Sequence, residues 1–304
     1  MTSTSLAFCF SSAVAFAAAT LAAQDGATSP PANGGFLTGL RGFERFHEPV
    51  GQPLYFESPF NDTGVRALWL KHYFSRNSVL QGGNVTVYAV QARVALSERL
   101  ALIATKDGYS EIETGLLGED EGWNDLAAGF KYVAVVDREA DLVVTPGIRL
   151  MTEQGHRLYG VINGSTAEVS PFVSFAKGFD DVHAVGNVTL RVPTDSDEGN
   201  TVLHWDLHFD IDVNPSEQAV FAPVFELHGL HYLSDGDLAL PIGGGDYTNL
   251  GSQPDTSFVC WASFGARFEI LTKYELGLVY EVALTDPGDD IWKDRVTLDF
   301  CIRW

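Results

Sequence analysis

Four segments of this chain place apolar and polar side chains on alternate residues, a period of two that fits little besides half-buried β-strands. In 296–304, Val296, Leu298, Phe300, Ile302 and Trp304 alternate with Thr297, Asp299, Cys301 and Arg303. In 202–213, Leu203, Trp205, Leu207, Phe209, Ile211 and Val213 share one side, and His204, Asp206, His208, Asp210 and Asp212 share the other. The same period sets Tyr274, Leu276, Leu278 and Tyr280 against Glu275 and Glu281, and Phe264, Phe268 and Ile270 against Ser263, Arg267 and Glu269. Weaker versions at 66–74, 84–96, 99–106, 123–136, 142–152, 166–177, 182–192 and 219–231 bring the expected strands to twelve. Strand 66–74 is the least regular, because Trp69 and Lys71 fall on the same side.

Beyond residue 23 the longest apolar run is five residues, as in 100–104, against the ~20 that a spanning helix needs. A helical membrane protein is excluded. Twenty Phe, ten Tyr, six Trp and thirty Gly suit strands and turns. Tight connections near 97–98, 137–140, 178–181, 214–218 and 271–273 interleave with mostly longer ones at 75–83, 106–122, 153–165, 193–199, 233–256 and 285–291. That interleaving, with an even strand number, is the signature of an up-and-down barrel whose two ends meet at the periplasmic rim. A soluble sandwich or lipocalin-like barrel would turn the apolar side inward, and twelve strands would then enclose a large apolar space needing to be filled. The expected fold is therefore all-β: an up-and-down antiparallel transmembrane β-barrel over 65–304.

On that barrel the polar side becomes the lumen. Its lining would comprise Lys131, Arg149 and Arg191, the ladder His204, Asp206, His208, Asp210 and Asp212, then Glu226 and His228. Arg267, Glu269, Glu275, Glu281, Asp299 and Arg303 complete it. Same-face groups on one strand sit ~6.8 Å apart, too far to share an ion without help from neighbouring strands, so no metal site, cofactor or catalytic residue is expected. An outer-membrane lipid hydrolase would need a serine and histidine within hydrogen-bond reach. His231 and Ser234 are the nearest such pair in sequence, and a rim histidine is the commoner reading. A closed-lumen structural barrel is the other alternative, since lumen acids and bases can pair.

The final stretch RVTLDFCIRW, with Phe300, Ile302 and terminal Trp304, resembles the C-terminal signal of bacterial outer-membrane β-barrels, which the barrel-assembly machinery reads; Phe is the usual last residue. Gly122-Trp-Asn-Asp125-Leu-Ala-Ala-Gly129-Phe-Lys131-Tyr132 resembles the G-x-x-D-x-x-x-G-x-K-Y stretch of outer-membrane channels related to the MetA pathway of phenol degradation. That resemblance implies a passive channel for small organic solutes, aromatic or hydrophobic ones among them, and carries over no ligand-binding residue.

Residues 6–23 are uncharged and apolar, as in a secretory signal peptide spanning 1–23. Residues 24–64 carry Pro-Pro, Gly-Gly and scattered aromatics and read as a periplasmic linker or as an arm that docks in the lumen through Phe43, Phe46, Tyr55 and Phe56. The chain carries 40 acidic and 19 basic residues, a formal charge of −21, which excludes nucleic acid as a partner. Four long connections hold most of the excess: 106–122 at −5, 233–256 at −4, and 193–199 and 285–291 at −3 each. An acidic outer mouth that attracts cations, with divalent ions bridging to outer-membrane lipids, is the expectation. Cys260 and Cys301 have opposite parity two strands apart, so no disulfide joins them.

Overall fold

The computed structural model describes residues 34–159, 166–213, 216, 218–234, 236, 245, 248, 249, 257–286 and 292–304. The leader expected at 1–23 lies outside the described residues. In chain order the strands are β1 (Gly64–Phe74), β2 (Gly83–Ala95), β3 (Leu100–Lys106), β4 (Tyr109–Thr114), β5 (Gly118–Trp123), β6 (Ala127–Tyr132), β7 (Val135–Asp137) and β8 (Leu142–Met151). They continue with β9 (Glu168–Phe179), β10 (Val182–Pro193), β11 (Val202–Ile211), β12 (Ala219–Tyr232), β13 (Phe258–Ile270), β14 (Tyr274–Ala283) and β15 (Trp292–Arg303). Every pairing is antiparallel, and β1 pairs with β2 on one side and β15 on the other, which closes the sheet. Strands β3 and β4 run end to end beside β2, and β5 to β7 form the next wall strand. Counted so, the closed antiparallel barrel has twelve strands. Closure leaves the strands that form the cylinder paired on both sides, while β5 of the hairpin pairs with β4 alone.

The alternating pattern resolves into an outer and an inner face. Phe264 is 55% exposed, Leu278 52% and Phe130 52%, all pointing outward, whereas Lys131, Ser263 and Arg267 are fully buried inside. A belt of this kind on a closed barrel is the surface that hydrocarbon would cover. Cys260 and Cys301 are free.

Two expectations are corrected. Residues 106–122 are not a loop, because β4 and β5 form a hairpin that prolongs the wall beyond β3 and β6. The alternation there is Tyr109, Glu111, Glu113 outside against Ser110, Ile112, Thr114 inside, so a polar outer face disguises the strand. Glu111 faces Glu121 and Glu113 faces Glu119 in register, and four exposed carboxylates place this hairpin clear of hydrocarbon. The changeover at Gly108 needs glycine: its φ is +97°, and a Cβ there would lie 2.0 Å from the Tyr88 carbonyl oxygen.

The second correction concerns the lumen, expected to be polar throughout. Near the long connections one side of it is apolar: Leu68, Leu70, Phe74, Val85, Val87, Ile112, Val202, Leu230, Val259 and Trp261 pack together, with Leu158 entering from above and Leu54 and Tyr55 from below. Charged side chains fill much of the half near the chain ends, and at the long-connection end Arg149, Glu168 and Arg191 of β8 to β10 and Arg295 of β15 are buried beside the apolar cluster.

Candidate functional site

Residues 34–63 fold inside the barrel as a loop with both ends at the rim where the strands are joined by short turns. The start and finish are tied together, because the Leu40 N–H donates to Asn61 Oδ1 at 2.8 Å while Asn61 Nδ2 donates to the Ser97 and Glu98 carbonyls in the β2–β3 turn. Phe43, Phe46 and Phe60 cluster behind this clasp, with ring centroids 5.2–6.2 Å apart. With Leu40 and Phe56 they pack on Val133, Val143, Ala176 and Val185 of the wall, which gives the arm an apolar foothold.

From there the arm climbs to mid-barrel and is held by wall side chains on nearly every side. Glu226 accepts the N–H groups of Val50 at 2.8 Å and Gly51 at 2.7 Å. Gly51 has no space for a side chain, since a Cβ would meet Glu226 Oε2 at 2.5 Å and His228 Nε2 at 2.8 Å. Gln52 donates to Glu281, Arg267 donates to the carbonyls of Glu48 and Pro49, and Tyr55 donates to Glu168 at 2.7 Å. The guanidinium of Arg191 lies 4.3 Å over the Tyr55 ring and that of Arg149 5.1 Å. On the way back, Lys131 donates to the Glu57 carboxylate and the Ser58 carbonyl, Ser174 to the Glu57 carbonyl, and Thr145 to the Pro59 carbonyl. Burial opposes ionisation of Glu48, yet the guanidinium groups of Arg93 and Arg303 outweigh it and hold that carboxyl well below the usual range. For His47, burial opposes protonation and the carboxylates of Asp212, Glu275, Asp210 and Glu269 overcome it, raising its pKa. Burial pushes the Tyr55 phenol above its ordinary value.

Every residue expected to face the lumen is placed inside, and most bear on the arm or on one another rather than on open water. His204, Asp206, His208 and Asp210 are buried and Asp212 is half-buried. Asp206 pairs with His228 at 2.8 Å, and His208 bridges Glu226 at 2.7 Å and Asp210 at 2.9 Å. Arg267 grips Asp299 at 2.5 and 2.9 Å, Arg303 meets Glu269 at 2.7 Å and also Glu275, Arg191 meets Glu168 at 2.8 Å, and Arg149 approaches Glu57 at 3.8 Å. Several partners escaped the sequence reading. His183, Glu168 and Arg295 have inward parity on strands already recognised, so the same period could have found them. Glu57 and His47 lie in the arm, where no period exists. Of the assembly signal, Phe300 is outward and stacked on Tyr274, and the Trp304 N–H donates to the Thr63 carbonyl.

The wall has an interrupted seam beside β2. The ladder between β2 and its neighbour covers Ala92–Ala95 and Gly83–Tyr88, leaving the stretch between them to side chains. There Gln91 Nε2 donates to the carbonyls of Thr105 and Pro53 at 2.6 Å, and the Val90 N–H donates to Asp107 Oδ1 at 3.0 Å. A cavity of about 60 Å³ lies against this seam, lined by Gln91, Arg93, Thr105, Arg66, Phe56 and Glu57 among others. The alternative serine–histidine pair is not assembled: the His231 ring stacks on Phe258 at 4.4 Å and Ser234 Oγ accepts the Thr201 N–H.

No family model matches the chain, and no curated protein matches it. Among solved structures, the COG4313 outer membrane channel from Pseudomonas putida F1 superposes with a TM-score of 0.53 at 13% identity, covering 91% of this chain and 100% of that one. The β domain of the Bordetella autotransporter BrkA gives 0.48 at 14% identity, with 80% and 100% covered, and the NanC porin gives 0.46 at 10%, with 80% and 100% covered. At these identities the likeness is one of fold: this chain has the architecture of bacterial outer-membrane barrels.

Proposed function

We propose that the chain is an outer-membrane channel that passes small aromatic or otherwise apolar solutes passively, and that its own arm, 34–63, keeps the passage shut until displaced. The observation that carries this reading is the apolar cluster on one side of the lumen near the long connections, built from β1, β2, β12 and β13. An uncharged solute gains about 25 cal/mol for each Å² of apolar surface it buries, so this apolar side favours such solutes over sugars or ions. Leu54 and Tyr55 of the arm belong to that apolar cluster, so a solute lodged there presses on the gate. The barrel fold shared with the Pseudomonas channel supports the reading. Export by the leader at 1–23 and insertion guided by Phe300, Ile302 and Trp304 belong to it as well; it assigns no catalytic step.

The density of buried ion pairs favours a second reading, a structural barrel that never opens. Liposome swelling with phenolics, amino acids and sugars separates the two, comparing the full chain with a variant lacking 34–60. A channel gives slow swelling for the full chain and fast swelling for the deletion, with phenolics ahead of sugars. Equal rates for both proteins refute the gate, and no swelling for either refutes the channel.

A further inference from the structure

We infer that the foot of the lumen binds a divalent transition-metal ion between arm and wall, held by His47, His183, Asp210 and Asp212. One ligand atom from each of these side chains lies within 4.8 Å of all the others. The four come from three pieces of chain: His47 from the arm, His183 from the start of β10, and the two aspartates from the end of β11 and the residue after it. Two aspartates at positions i and i+2 of a straight strand stand too far apart to share an ion. Asp212 stays in the ladder register, its N–H donating to the Asp181 carbonyl, so it is the two carboxylates themselves that lean together to bring an oxygen of each within 4.8 Å. The neighbouring strand and the arm supply the imidazoles that the 204–212 ladder lacks on its own.

Both imidazoles are buried, His183 fully and His47 to 1% exposure. Each uses one nitrogen on a carboxylate, His47 Nε2 with Asp212 at 2.8 Å and His183 Nδ1 with Asp210 at 2.7 Å. The other nitrogens, His47 Nδ1 and His183 Nε2, are buried without a hydrogen bond, an arrangement that costs free energy unless something else fills the site. The charges point the same way. Glu269 and Glu275 also approach His47 within the same limit, but both already face Arg303. The ion pairs of Asp210 and Asp212 are with imidazoles alone, so the positive charge is short at the aspartates.

Two nitrogens with two carboxylate oxygens suit Zn²⁺ and its first-row neighbours, whereas Ca²⁺ and Mg²⁺ take oxygen. Tetrahedral bonds of ~2.0 Å put ligand atoms about 3.3 Å apart, so the four groups need only a small contraction. A bound ion joins the arm to β10 and β11 and so pins the loop that fills the barrel. The site stands on these residues whether or not the barrel conducts.

The test strips the folded barrel with chelator in detergent and titrates it with Zn²⁺ against a chromogenic competitor. One equivalent per chain is expected, with affinity lowered about a hundredfold or more in His183→Gln and Asp212→Asn and unchanged in His231→Gln. Heat-modifiable mobility establishes that each variant is folded. X-ray absorption on the zinc-loaded wild-type chain needs no variant, and should show two imidazoles and two oxygens around the ion. A wild-type chain that binds no zinc, variants that bind it as tightly as wild type, or a shell of oxygens without imidazole overturns the proposal.

Discussion

Glu226 is the side chain on which the closed state leans most measurably. Its carboxylate takes two arm amides, from Val50 and Gly51, and also pairs with His208. Replacing it with alanine removes both acceptors from the arm while His208 keeps Asp210. Hydrogen bonds to a charged group contribute about 1.5–3 kcal/mol each, and water entering the vacated space recovers part of that, so a net loss of about 3 kcal/mol is the working figure. At 1.4 kcal/mol per factor of ten, the fraction of molecules with the arm undocked rises by about 150-fold. Limited proteolysis of residues 34–60 reports that fraction directly when opening is fast relative to cleavage, and planar-bilayer recording reports it as open probability. Both should rise in Glu226→Ala and leave the barrel's heat-modifiable mobility intact. Unchanged cleavage and unchanged conductance in Glu226→Ala, beside a deletion of 34–60 that conducts freely, would show that the arm is not held by this carboxylate and sink the argument.

Asp120, on the hairpin beyond the membrane, accepts the Tyr159 N–H at 2.7 Å, and this bond, ahead of those to the Glu121 N–H and His156, holds its pKa below the ordinary value. A depressed carboxyl pKa stabilises above the unfolded value of about 3.9 and the benefit vanishes as pH falls through the lower, folded value. Hydrogen exchange at Tyr159 should therefore stay slow to about pH 4 and quicken below it, whereas Asp120→Asn should remove that acid step. The facing pairs Glu111–Glu121 and Glu113–Glu119 repel, so Glu121→Lys should strengthen the β4–β5 hairpin by about 0.5 kcal/mol, seen as slower exchange of its amides. If the acidic rim also takes divalent ions, calcium should slow proteolysis at 115–117 in the wild type and lose that effect in Glu121→Lys; equal protection in both rules the carboxylate pairs out.

The period of two carried the architecture because a barrel wall has just two environments, and residues such as Leu276, Leu278, Glu275 and Glu281 announce which they occupy. It misled wherever one environment changes character along the barrel axis. On β4 and β5 the outer face leaves hydrocarbon for water, so glutamates replace aromatics and the strand reads as loop. At the top of β2 and β13 the inner face turns apolar, so Val85, Val87, Val259 and Trp261 stand where polar side chains would have marked the lumen. The arm was legible only as a segment with too many aromatics for free coil. Its contacts to Glu226, Arg267 and Lys131 join residues more than seventy positions apart, and no local pattern encodes them. The cluster of His47, His183, Asp210 and Asp212 is of the same kind, since single-strand spacing argues against it and the third dimension supplies it.

The joint between β1 and β15 has a meaning for biogenesis. The last residue donates its N–H to Thr63, the last link of the arm, and Arg303 donates to the carbonyl of Phe46 deep within the loop. The arm is synthesised first among the described elements and β15 last, so the occupant precedes the room that encloses it. Sealing the cylinder and seating its contents then become one step: a chain that failed to fold its arm would lack hydrogen bonds at the very joint that closes, and a nascent barrel missing its final residues would leave the arm unclasped and open to proteases.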